Sequence, residues 1–181
     1  MNLFYIAGFA AGVITVAIVI TVINLLYKKK HGRKKPEYDE RQETLRGRAY
    51  KAAYFTLLFY LILNGLVVKG FGLEWAENLT GSFIGLSISI GVFVIKCIKD
   101  DAYISLSEKP VTYLVLFSIV GFINLGVSIF RIVGHKSFMT DGLLNDNAIN
   151  LTCGILFTIL AAVMAVKMIK DSRSGNKDGE V

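Results

Sequence analysis

The chain has 181 residues, 54% of them hydrophobic and only 19% charged, with a formal net charge of +6. A soluble domain of this size carries about 25% charged residues, and two prolines with 17 glycines do not make a disordered composition. Two histidines and two cysteines leave little material for a metal centre or a disulfide scaffold.

The apolar residues gather into five blocks: 2–27, one within 50–69, one within 80–97, 111–130 and 150–166. Each is long enough for a bilayer-crossing helix of about 20 residues. The blocks are continuous rather than alternating, which selects helices over a barrel. The expected fold is an all-α integral membrane protein with five transmembrane helices. In the first block the positive charges follow a long apolar core instead of preceding a short one, so it reads as a retained span and not a signal peptide. The expected organisation is a first transmembrane helix, 1–27; a basic, charged cytoplasmic segment with a helical extension, 28–51; a first hairpin, 52–100; a second hairpin, 101–171; and a disordered cytoplasmic tail, 172–181.

Residues 28–35, KKKHGRKK, are a polybasic juxtamembrane run. Lys28, Lys29, Lys30, Arg33, Lys34 and Lys35 are expected to lie against anionic headgroups, each contributing about 1 kcal/mol of attraction. No aromatic residue interleaves with them, so nucleic acid is not the expected partner. Pro36 ends the run. Asp39 then suits an N-cap, Gln42 completes a capping box, and Glu40 suits the first turn of a helix. That helix is expected to run unbroken into the second block, with Leu45, Ala49, Ala52 and Ala53 on an apolar side and two to three turns standing in the cytoplasm.

Lys and Arg are dense after the first, third and fifth blocks and sparse in 69–79 and 131–149. The positive-inside rule then places the N-terminus outside and the C-terminus inside. On this topology His31 and His135 lie on opposite sides and cannot share a metal. Cys97 and Cys153 lie near opposite ends of different spans, so they read as packing residues.

Residues 78–100 and 150–171 both begin Asn-Leu-Thr and both end Lys-x-Ile-Lys-Asp. The spans before them also correspond, with Tyr54, Asn64 and Gly65 matched by Tyr113, Asn124 and Gly126. We therefore expect one extra helix plus two tandem hairpins, a parallel internal repeat about an axis along the membrane normal. The Asn-Leu-Thr copies match a glycosylation sequon, but at helix starts they read better as N-caps. Small residues mark helix contacts in lipid: Gly8 and Gly12; Gly81, Gly85 and Ser89; Gly154, Thr158 and Ala162.

Asn64 and Asn124 are expected at equivalent depths, and Asn124, Ser128 and Arg131 on one helical face. They read either as interhelical hydrogen-bonding residues or as an outward-facing polar cavity, with Glu74 and Glu77 as partners for Arg131. No span holds a central carboxylate of the kind that proton-coupled carriers use. There is no zinc-protease motif, paired Cys-x-x-Cys, nucleophile elbow or phosphate loop. Asp100 and Asp101 could form a cation site with Asp39 or Glu40, but no calcium-loop glycine frames them. No enzyme activity and no cofactor are expected.

The stretch YDERQETLRGRAYKAAY, 38–54, resembles a segment of uncharacterised small bacterial multi-span membrane proteins. These carry an Asp-Glu-Arg motif on the cytoplasmic side just before a transmembrane helix, here Asp39, Glu40 and Arg41. The resemblance covers the motif, the following span and the overall topology, and implies a bacterial inner-membrane protein without a specified activity. The expected function is therefore non-catalytic, exercised through protein–protein or homo-oligomeric contacts at Asp39, Glu40, Arg41, Arg46 and Arg48. The alternative is a small permease or ligand-binding membrane protein with a polar site near Asn64 and Asn124.

Overall fold

The structure, a computed structural model, describes residues 38–177 apart from residue 107. The first apolar block and the polybasic run lie outside the described residues. Helix α1 spans Glu40–Gly65 and continues through a π-helical turn, Leu66–Gly70. Helix α2 spans Asn78–Lys99, α3 Pro110–Val133 and α4 Asn147–Lys177. Between α3 and α4, strands β1 (Met139–Thr140) and β2 (Leu143–Leu144) form an antiparallel hairpin. Among the described residues four helices are long and apolar enough to cross a membrane, and they contain the second to fifth blocks.

Local chemistry sets the helix ends. Asp39 caps α1: its Oδ1 accepts the Gln42 N–H at 2.6 Å, and its own N–H donates to Gln42 Oε1 at 3.4 Å. Glu40 and Glu43 add negative charge to the first turn, where the helix dipole favours it. Pro110 opens α3 at a position where its missing N–H costs nothing. Two helices leave by the same device. After α2, Asp101 takes a left-handed conformation (φ 57°), its N–H donates to Ile98 O at 3.4 Å and the Ala102 N–H donates to Cys97 O at 2.8 Å. After α3, His135 (φ 55°) donates to Ile132 O and Lys136 to Arg131 O. Both are Schellman ends, with Asp and His standing where glycine is usual. Helix α4 has no such stop at the expected start of a disordered tail: it continues through 172 to Lys177.

The helices pack as a layer, α1 on α2, α2 on α4 and α4 on α3. Helix α2 is central and packs on two opposite sides, one lined by small residues and the other by a glycine followed by aliphatic residues. On one side a Cβ at Gly85 would overlap the Tyr60 ring, the Tyr60 hydroxyl donates to Gly81 O at 2.5 Å, and Ser89 Oγ donates to Ala53 O at 2.8 Å. On the other, a Cβ at Gly91 would lie 3.0 Å from Leu156 Cδ1 of α4. Val94 and Ile98 continue that side into a buried cluster with Leu160, Met164 and Phe117. Close backbone approach and interhelical hydrogen bonds are the forces available where lipid offers no hydrophobic drive. The α3–α4 contact uses Gly121, where a Cβ would meet Thr158 Oγ1 at 3.1 Å, and Gly154, where one would meet Leu125 Cδ2 at 2.7 Å. The flanking helices expose large apolar side chains, Phe59 and Ile62 on α1 and Phe122 and Phe130 on α3, as lipid-facing surfaces do.

The β-hairpin turns through Asp141 (φ 52°) and Gly142 (φ 82°), the two positive φ values of a type I′ turn. Leu144 then bonds to the α1–α2 connection: its N–H donates to Trp75 O at 3.0 Å, and the Glu77 N–H donates to Leu144 O at 2.9 Å. The expected Asn-Leu-Thr caps do not form. The N-cap of α2 falls on Glu77, one residue before Asn78, and has no side-chain cap bond. Helix α4 starts at Asn147, so Asn150 is already inside it; there Asn145 Oδ1 accepts the Asn147 N–H at 3.0 Å.

Candidate functional site

The charged motif before α1 sits at one end of the layer, beside the α2–α3 connection. Gln42, Arg46, Ala49 and Ala53 follow one another at four, three and four residues, so they share one helical face. Ala49, Ala53 and Gln42 are buried on that face. The two polar members hold the connection. Gln42 Nε2 donates to Asp101 O at 2.7 Å and to Ile104 O at 3.2 Å. Arg46 Nη1 donates to Ala102 O at 3.1 Å and to Tyr103 O at 3.5 Å. The guanidinium also lies 4.2 Å from the Tyr38 ring centroid and 5.8 Å from that of Phe93, contacts its planar cation favours. Tyr50 stacks on Phe93 at 4.2 Å. The Schellman end of α2 makes this clamp possible, because the turn at Asp101 brings successive carbonyls toward α1.

The clamped loop is well packed: Ala102 and Ser105 are buried. Tyr103 packs edge-on against Tyr113 at 5.3 Å, and burial pushes its phenol above the usual tyrosine range. The Asp101 carboxylate faces α4 and pairs with Lys167 at 2.9 Å, and Lys167 also pairs with Asp171 at 2.9 Å. The cation site considered from the sequence for Asp100 and Asp101 with Asp39 or Glu40 is not assembled. Asp39 caps α1, Asp101 meets a lysine, and no three His, Cys, Asp or Glu side chains gather among the described residues.

The five motif residues thus divide. Asp39 and Arg46 are engaged within the chain. Glu40, Arg41 and Arg48 are exposed. Arg41, Thr44, Arg48 and Lys51 form an exposed row at spacings of three, four and three residues, and the clamp fixes the helix that carries it. Gln42 is the member that sequence reasoning assigned only to capping. Its placement on the Ala49–Ala53 stripe was the available signal.

The second set of sequence-predicted residues is brought together only within α3, where Asn124 and Ser128 are bonded, and Asn64 lies apart from them. Asn64 Oδ1 accepts from Trp75 Nε1 at 2.8 Å. Asn124 Nδ2 donates to Val120 O at 2.8 Å, and Ser128 Oγ donates to Asn124 O at 3.0 Å, both within α3. Arg131 donates to Asn147 Oδ1 at the start of α4, not to Glu74 or Glu77. Asn64 and Asn124 stand on the two flanking helices, with α2 and α4 between them. Asn64 does line a depression of about 330 Å³ with Glu74, Trp75 and Glu77. Cys97 and Cys153 are both free thiols.

These features define a class, helical proteins whose helices are long and apolar enough to cross a membrane. Comparison with protein-family models, with curated proteins and with solved structures finds no match to this chain.

Proposed function

We propose that the chain is a non-catalytic integral protein of the bacterial cytoplasmic membrane that acts by docking an acidic protein surface, on a partner or on a second copy, at the exposed row Arg41–Arg48–Lys51. The observation that carries this reading is the clamp. Gln42 and Arg46 fix the first turns of α1, so the exposed cations beside them form a rigid surface instead of a mobile tail. A helix already fixed in place loses less backbone entropy on binding. Five spans, with the N-terminus outside and the motif inside, fit the Lys and Arg distribution. The parallel repeat is supported by the order of the layer: exchanging α1 with α3 and α2 with α4 leaves the set of packed pairs unchanged.

Site-specific photo-crosslinking from positions 41 and 48 of the full chain in its native membrane tests this. The same discrete protein adduct is expected from both positions, reduced at least tenfold by Arg41→Glu with Arg48→Glu. Crosslinks to lipid alone would sink the proposal.

The runner-up reading, a small ligand-binding or permease role, keeps one supporting observation, the acidic depression beside Asn64. Its test is Glu74→Gln with Glu77→Gln. Loss of saturable uptake or binding of a small organic cation would favour it over the docking reading.

A further inference from the structure

The paired sequence endings Lys96-x-Ile98-Lys99-Asp100 and Lys167-x-Ile169-Lys170-Asp171 lie near the ends of the two central helices. Between these endings is a groove of about 460 Å³. Its apolar part is formed by Ala162, Val163 and Val166 of α4, and its charged part by Lys99 of α2 with Lys167 and Lys170 of α4. Lys99 and Lys170 are the matching lysines of the two endings, so the groove collects both copies at one place. From Ala162 to Lys170 is eight residues, about 12 Å along the helix.

We propose that this groove binds one anionic phospholipid, its phosphate between Lys99 and Lys170 and the upper part of an acyl chain along Ala162, Val163 and Val166. Two observations favour a lipid over a soluble phosphate compound. The apolar wall continues directly from the charged rim, on a helix long and apolar enough to cross the membrane. Ala162 and Val166 are exposed at the side of the layer, open to a lipid entering laterally. The charge is offset only in part. Asp171 lines the groove and Asp101 stands beside it, and both carboxylates are held by Lys167. By formal charge, the three lysines outnumber the two carboxylates of Asp101 and Asp171. The inference uses the membrane reading but not the docking reading.

The test uses the full chain in nanodiscs of phosphatidylcholine with a fraction of phosphatidylglycerol, and native mass spectrometry of the lipid retained on release. Retention of one phosphatidylglycerol in preference to phosphatidylcholine is expected. Lys99→Gln with Lys170→Gln should weaken it by about 30-fold, at about fivefold per lysine. Ala162→Phe, at an exposed position, should exclude the chain while leaving the charge intact. Neutralising Lys28, Lys29 and Lys30 should leave the retained lipid in place. Equal retention of the two lipids, unchanged retention in both groove variants, or displacement by millimolar inorganic phosphate would overturn the proposal.

Discussion

A glutamine at the third position of a helix normally does one job, closing the capping box. Gln42 does two, because its Oε1 serves the cap while its Nε2 reaches two carbonyls of another loop. A glutamate would keep the cap and lose the donor, setting a carboxylate against Asp101 O and Ile104 O. Gln42→Glu is expected to destabilise the protein by about 1–3 kcal/mol, the cost of unsatisfied buried polar groups, measured by thermal unfolding in detergent. Arg46→Lys should also weaken the clamp, since an ammonium lacks the planar face that rests on Tyr38. At Asp101 the backbone decides. Asp101→Gly should be tolerated, because glycine accepts the left-handed turn and the lost Lys167 pair is half-exposed. Asp101→Val should cost about 1–3 kcal/mol from strain and release the loop, seen as faster proteolysis between 100 and 109. Tyr103 gives a pH prediction. Its phenol is raised, so the neutral form is favoured in the fold. The contribution is complete below the ordinary tyrosine value near 10 and is lost as pH climbs through the raised one. An alkaline unfolding titration should move to lower pH where Tyr103→Phe is absent than where it is present.

At the scale of elements, the two sides of α2 respond differently to one added methyl group. At Gly85 the Cβ meets the body of the Tyr60 ring, which is held at its far end by the hydrogen bond to Gly81 O. At Gly91 it meets only the terminal methyl of Leu156. Gly85→Ala is expected to cost about 1–3 kcal/mol through overpacking and to loosen the α1–α2 hairpin. Gly91→Ala should be nearly neutral, both read from melting temperature in the same detergent. The start of α1 and the Gly81–Gly85–Ser89 stripe were legible in the sequence because capping and small-residue spacing are local patterns. The second stripe through Gly91, Val94 and Ile98 was not, since its glycine is followed by ordinary aliphatic residues that carry no mark of contact. The π-helical turn after α1 and the Schellman ends at Asp101 and His135 were also unread. In each the decisive residue is not the glycine that such an exit advertises, or the deviation is only one residue of helical winding.

At the scale of the molecule, the four described helices and their apolar character followed directly from block lengths. The contacts between them did not. The partners of Gln42 and Arg46 are backbone carbonyls, which every residue possesses, so no residue type at 101–104 announces them. Asn64 and Asn124 illustrate a different limit. Their matching positions set equivalent depths, but side-chain identity says nothing about which helices stand between, and α2 and α4 do. Cysteine pairs placed on α2 and α4 should crosslink readily, while pairs on α1 and α3 should not. Efficient α1–α3 crosslinking within one chain would refute the layer order.

The clamp also has a bearing on how the chain is made. Gln42 and its acceptors are separated by 59 and 62 residues, and the rest of α1 and all of α2 lie between them. The motif is therefore synthesised long before the carbonyls that complete it. Those carbonyls reach it only if α2 returns the chain to the side from which α1 departed. A chain in which α2 does not fold back along α1 leaves Gln42 and Arg46 without their acceptors. The contact that steadies the finished protein thus closes only once the α1–α2 hairpin is complete.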